Sequence, residues 1–232
     1  MLFKKKKEKT YSSPGLVTLN KPMSHISEQF RTIRTNIQFS MIDDTLKSIV
    51  VTSASSEAGK STIASNLAST FASSEKSVLL VDADLRKPTI HKLFNTINTE
   101  GLTTLLTDKE TTLKDVIVKT RSEGLYVLPS GAIPPNPAEL LGSNRMQEVE
   151  KEILSAFDLV IFDMPPVLVV TDAQVMAARA DGVLFVIPKG EAHKDSVLKA
   201  KDLLEKVQAN VLGAVLNKVE EKDNYYYYYG TE

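Results

Sequence analysis

The sequence predicts an α/β fold: a mostly parallel central sheet flanked by helices on both faces. Three observations predict it. Short apolar runs recur at Ile49-Val50-Val51, Val78-Leu79-Leu80-Val81 and Leu159-Val160-Ile161-Phe162, and continuous runs of that length read as strands buried on both faces. Segments of helical spacing follow them, and strands alternating with helices favour βαβ units. The second and third runs end in aspartate and the first opens a small-residue loop, all at carboxyl ends, where open α/β sheets bind ligands.

The bulk numbers narrow the classes. At 232 residues the chain is long enough for a sizeable core and reads as one large domain, residues 21–219, between a basic N-terminal arm (1–20) and a tyrosine-rich C-terminal tail (220–232). Its 42% hydrophobic and 25% charged residues are ordinary for a globular protein. A net charge of −1 argues against a nucleic-acid partner. The absence of cysteine excludes disulfides, thiol catalysis and cysteine-held metal clusters. No apolar run approaches the ~20 residues needed to span a bilayer. The N-terminal lysines lack a following apolar stretch, so no secretory signal is expected.

In chain order, Lys4, Lys5, Lys6, Lys7 and Lys9 form a charge run before the breaker cluster Ser12-Ser13-Pro14-Gly15. It reads as a solvated flexible arm or as a patch drawn to an anionic membrane face, at ~1 kcal/mol per basic residue. From His25 to Phe39, Ile26, Phe30, Ile33 and Ile37 recur at helical intervals, with Ser27 as the expected N-cap. Glu28, Arg31 and Arg34 share one polar face of that helix, for local ion pairs or for a neighbouring subunit.

Ala54-Ser55-Ser56-Glu57-Ala58-Gly59-Lys60-Ser61-Thr62 joins the first strand to a helical segment with Ile63, Ala64, Leu67, Ala68 and Phe71 inward. Strand, small-residue loop, then helix is the context in which G-x-x-x-x-G-K-[ST] holds phosphate. Free N–H groups at a helix start point at an anion and the helix dipole favours negative charge there. Lys60 reaches the β- and γ-phosphates and the Ser61 hydroxyl ligates Mg²⁺. Ala54 replaces the first glycine and tolerates positive φ poorly, so a reshaped turn is expected there.

The second strand ends in Asp82-Ala83-Asp84-Leu85-Arg86-Lys87-Pro88. Two aspartates at a buried strand end are costly unless an ion or a cation meets them. Next, Leu102, Leu105 and Leu106 suggest a short helix, Thr112 and Asp115 a capping box, Leu125–Leu128 a strand, and Met146–Phe157 a helix. Leu159–Phe162 ends in Asp163-Met164-Pro165-Pro166, the form of a Walker B element with its carboxylate behind Mg²⁺. Val183–Ile187 and Val211–Leu216 read as strands and Ser196–Val207 as a helix. Asn217, at a strand end, suits either an amide contacting the nucleotide base or a turn.

Tyr225, Tyr226, Tyr227, Tyr228 and Tyr229 close the chain. Five consecutive tyrosines share no helix or strand face and would bury five hydroxyls, so an exposed tail is expected. Phosphorylating all five would add about −8 to −10 charges.

The loop at 54–62, the aspartates within 81–88, Phe-Asp-Met-Pro-Pro at 162–166, Glu28-x-x-Arg31-x-x-Arg34 and the tyrosine cluster together resemble the bacterial tyrosine kinases of capsule and exopolysaccharide synthesis. The match is to their Gram-positive form, in which kinase and membrane modulator are separate chains, and it runs from Pro22 onward. The resemblance implies a P-loop NTPase-like fold, ATP/ADP and Mg²⁺ as cofactors, and phosphoryl transfer to tyrosine. By the same resemblance Ser56, Glu57, Ala58, Gly59, Lys60, Ser61 and Thr62 bind nucleotide, with Thr62 near the α-phosphate. Asp82 is general base and metal residue, and Asp84 supports the metal's waters. Asp163 holds Mg²⁺ through water, and Asn217 contacts adenine. Glu28, Arg31 and Arg34 lie at the contacts of a ring-like homo-oligomer, and the tyrosines of one subunit accept phosphate in the next. The implied partners are a membrane-bound modulator, protein tyrosine substrates and a tyrosine phosphatase. The implied place is the cytoplasm, peripheral to the inner face of the cell membrane. The rival expectation is a partitioning or regulatory ATPase of the deviant Walker A superfamily; such ATPases carry an additional lysine early in the loop, and Ser55-Ser56 has none.

Overall fold

The computed structural model describes residues 13–40 and 46–220. Two helices come first, α1 (Val17–Asn20) and α2 (His25–Phe39). Then follow β1 (Ser48–Ser53), α3 (Lys60–Ala72), β2 (Val78–Asp82) and α4 (Ile90–Phe94). Next are α5 (Leu102–Thr107), α6 (Leu113–Val116), β3 (Val118–Lys119), β4 (Leu125–Leu128), α7 (Pro137–Leu141) and α8 (Asn144–Ala156). The last third holds β5 (Leu159–Asp163), α9 (Asp172–Ala177), β6 (Gly182–Pro188), α10 (Lys194–Lys206) and β7 (Val211–Asn217).

The strands form one sheet in the order β3-β4-β2-β5-β1-β6-β7, parallel except for the short edge strand β3. Every residue of β1, β2 and β5 is buried, as expected for strands covered on both faces. Alternate residues serve the two faces. Ile49, Val51, Leu80 and Ile161 pack with Phe30 and Ile37 of α2 and with Ile63, Leu67 and Phe71 of α3. Val50, Leu79, Val81 and Phe162 pack with residues of α5, α6, α8, α9 and α10 on the other side. The α/β architecture with helices on both faces is therefore as the apolar runs predict.

Details depart from the sequence reading where a distant partner decides. Ser24, not Ser27, caps α2: its side chain accepts the Ser27 N–H at 3.2 Å. Ser27 is the third helical residue and is buried. Residues 13–20, expected to belong to the flexible arm, are packed. Leu16 is fully buried, and Oδ1 of the buried Asn66 in α3 accepts both the N–H and the hydroxyl of Thr18 at 2.9 Å. Asn66 Nδ2 donates to the Gly15 carbonyl at 2.6 Å, so residues 13–20 pack onto the helix that follows the phosphate loop. The Lys4–Lys9 run and Tyr225–Tyr229 lie outside the described residues. The capping box holds, with Asp115 accepting the Thr112 N–H at 2.9 Å. α1, α4, α7, α9 and β3 have no counterpart in the sequence reading, being too short for a periodic signal. Among the described residues no helix is long and apolar enough to cross a membrane.

Candidate active site

The sheet's register brings the expected carboxylates together. β2 and β5 are adjacent and parallel, and Asp82 pairs with Asp163. Paired residues on neighbouring strands point to one face at a strand separation of about 4.8 Å. β1 lies on the other side of β5, with Val51 opposite Asp163, so the loop leaving β1 opens beside both acids. Asp82, Asp163 and Lys60 are buried, with Lys60 only 8% exposed.

The loop 54–59 makes its turn without strain at Ala54. The residues in left-handed conformation are Glu57 at φ 61° and Gly59 at φ 89°; Ala54 is buried in the core. The reshaped turn expected at Ala54 is thus displaced to Glu57, which is exposed and loses no packing there. Gly59 caps α3, its carbonyl accepting the Ile63 N–H at 3.0 Å. Lys60, Ser61 and Thr62 form the first helical turn, whose N–H groups lack helical partners.

The buried charges lack full compensation. Oδ2 of Asp82 accepts the N–H groups of Thr89 and Ile90 at 3.0 and 2.9 Å. Its Oδ1 and both oxygens of Asp163 are buried without a well-formed hydrogen bond. Burial holds the Asp82 carboxyl well above the usual range, reinforced by the charge of Asp163. Burial pushes Asp163 up to about 7, against the opposing pull of the Ser61 hydroxyl and the Lys60 ammonium. Burial lowers Lys60, while Asp163 and Asp84 draw it back up. A desolvated cluster of this sign balance is a candidate functional site.

Asp84 is half-buried, and its Oδ1 accepts the N–H groups of Lys87 and Arg86 at 3.0 and 3.3 Å, folding the loop after β2. Three contributors carry no signal of their own in the sequence. Thr89 donates its hydroxyl to Ser61 Oγ at 2.7 Å. Asp172, fully buried in the first turn of α9, takes a two-pronged bond from Arg86 at 2.9 and 3.0 Å. Asn66 ties α3 to residues 15–18. Arg86 alone points to a partner, since a cation beside two acids in a loop calls for a further counter-charge.

Asn217 stands at the end of β7, and its Nδ2 donates to the carbonyl of Ala58, within the loop, at 2.8 Å. Glu28 and Arg31 pair on α2, and Arg31 also donates to the Pro22 carbonyl at 2.6 Å. Arg34, half-buried, donates to the Thr70 carbonyl of α3 at 2.8 Å.

Residues 46–211 match the AAA domain family. Over 219 residues the chain is 47% identical to the tyrosine-protein kinase YwqD of Bacillus subtilis (strain 168), covering 94% of this chain and 92% of that one. It is 38% identical over 204 residues to the tyrosine-protein kinase CpsD of Streptococcus agalactiae, 88% of each chain. The solved kinase domain of Escherichia coli tyrosine kinase ETK superposes with a TM-score of 0.87 at 33% identity, covering 97% of this chain and 88% of that one.

Proposed function

We propose, on the premise that this chain belongs to the bacterial tyrosine-protein kinases, that Asp82 is the base for phosphoryl transfer from ATP to tyrosine and that Tyr225–Tyr229 are acceptors. The observation that carries the reading is the Asp82–Asp163 register pair beside the loop, with three buried carboxylate oxygens that have no well-formed hydrogen bond.

Those oxygens fit a hard cation. Mg²⁺ takes one or two carboxylates and completes its shell with water and phosphate. Ser61 and Asp163, with Asp82, would hold it. When bound, it would neutralise the charge that develops on the transferring phosphate.

The chain's own residues do the rest. Residues 56–62 offer N–H groups and the Lys60 ammonium to the phosphates of ATP or ADP. Thr89 orients the Ser61 hydroxyl. Asp82, its Oδ2 fixed by two backbone N–H groups, keeps Oδ1 available to accept a tyrosine proton. Its raised pKa makes it a stronger base once ionised. Asp84 shapes the loop beside it. Catalysis of this kind rests on positioning and electrostatics.

Beyond the site, the tail is phosphorylated between subunits of a ring, with Glu28, Arg31 and Arg34 at the contacts. A membrane-bound modulator stimulates the kinase at the inner face of the cell membrane, where the Lys4–Lys9 run adds electrostatic attraction. A tyrosine phosphatase resets the tail, and the output is control of capsule or exopolysaccharide polymerisation and export.

Incubation with ATP and Mg²⁺ followed by phosphotyrosine detection tests the reading. Signal is expected from the native chain, and none from Lys60→Met or from the chain with Tyr225–Tyr229 all changed to Phe. ATP hydrolysis without phosphotyrosine, even with a cytoplasmic modulator segment added, would refute the acceptor role and favour the ATPase.

A further inference from the structure

The last strand reaches into the phosphate loop. β7 ends at Asn217 on the same rim as the carboxyl ends of β1, β2 and β5, because β7 runs parallel to β6 and β6 to β1. Asn217 Nδ2 donates to the Ala58 carbonyl at 2.8 Å. The contact is close on its other side too: a Cβ built on Gly59 would lie 2.2 Å from the same nitrogen. The loop therefore has a glycine at 59 for two reasons, its φ of +89° and the seat of Asn217.

The Asn217 backbone is itself held. Its carbonyl accepts the Lys189 N–H at 2.8 Å, and the next residue, Lys218, pairs with Glu191 at 2.7 Å. Asn217 is thus a fixed post rather than a free side chain. The loop it touches needs one. Glu57 at φ 61° and Gly59 at φ 89° bracket Ala58, and such conformations persist where surrounding contacts over-determine them. The peptide whose carbonyl Asn217 holds is the one whose N–H belongs to Gly59, immediately before the Lys60 and Ser61 amides.

We propose that Asn217 is a positioning residue of the nucleotide site, acting on the phosphates through the backbone of the loop. The inference rests on reading 54–62 as a phosphate loop. It also joins two parts of the chain that the sequence keeps apart. The strand end that steadies the loop is the root of the segment carrying the tyrosines, with Tyr225 eight residues beyond Asn217. The phosphate cradle and the base of that segment form one braced unit.

Asn217→Ala removes the brace, and Asn217→Leu removes the donor while keeping the branched shape against Gly59. Binding of ATP, inorganic tripolyphosphate and adenosine is measured for both variants and for the native chain, with urea midpoints to confirm folding. Loss of one hydrogen bond should weaken ATP and tripolyphosphate alike, by about five- to tenfold, and leave adenosine unchanged. If ATP and adenosine weaken while tripolyphosphate does not, Asn217 reads the base and the proposal is wrong. Unchanged binding of all three in folded variants also overturns it. Failure of the native chain to bind tripolyphosphate or ATP would instead overturn the phosphate-loop reading, and this inference with it.

Discussion

Replacing Asp163 with asparagine should stabilise the nucleotide-free protein while destroying its activity. Asp163 is fully buried with neither oxygen well hydrogen-bonded, and burial pushes its carboxyl from an ordinary 3.8 up to about 7. Each tenfold change in proton affinity between the folded and unfolded chain is worth about 1.4 kcal/mol, which sets an upper bound of roughly 4 kcal/mol at alkaline pH. Two effects reduce it. The buried Lys60 ammonium loses a compensating charge, and the new amide needs an acceptor. The register partner Asp82 carries one without a donor. A net gain of roughly 1–3 kcal/mol remains. The direction with pH follows from the raised value. A carboxyl whose folded pKa exceeds its unfolded one contributes stability that is full below the unfolded value and lost as pH rises through the folded one. Native stability should therefore fall from pH ~4 to ~7, and Asp163→Asn should lack that descent. Urea unfolding at pH 5 and pH 8, free of nucleotide and Mg²⁺, reads the difference. At about 2–4 °C per kcal/mol for a chain of this size, thermal unfolding reads it too. A variant less stable than the native chain at pH 8 would refute the reasoning. It would mean that the charge of Asp163 stabilises the fold through Lys60 more than its burial destabilises it.

The remaining predictions concern the loops around the acids. Arg86→Ala strands the fully buried Asp172 carboxylate and should cost about 3 kcal/mol. Asp172→Asn leaves only a guanidinium whose side chain is 39% exposed, and should cost less than half of that; equal losses in denaturant unfolding would argue against the pairing. Glu57→Gly relieves a left-handed non-glycine residue and should stabilise by roughly 0.5–1 kcal/mol, whereas Ala54→Gly should destabilise by a similar amount because Ala54 needs no such freedom. Opposite signs in thermal unfolding are the expected outcome, and a gain from Ala54→Gly would contradict the φ angles.

Much of the candidate site is legible in the sequence because its parts are local. An apolar run ending in aspartate is a buried strand delivering a carboxylate to the sheet's rim, and Asp82 and Asp163 are both there. Ser24 escapes a local reading because the cap lies three residues before the serine that resembles one, a choice set by where Lys21 and Pro22 turn the chain. Residues 13–20 escape it because their composition is that of a tail; Asn66, 48 positions after Thr18, and the apolar surface that buries Leu16 hold them in place. Asp172 escapes it because a lone acid in an apolar stretch has no pattern of its own.

The sequence alone determines the strand–loop–helix units, the inward spacing of the helices and the chemistry of Lys60, Asp82 and Asp163, since each depends on neighbours within a few positions. Tertiary structure decides the strand order, and with it which acids stand side by side. It also decides that Glu57 rather than Ala54 bears the turn, that Arg34 donates to the Thr70 carbonyl, and that Asn217 grips the loop at Ala58. Those outcomes depend on contacts between residues up to 159 positions apart. Such contacts form only when the sheet closes around its core, and no local periodicity encodes them.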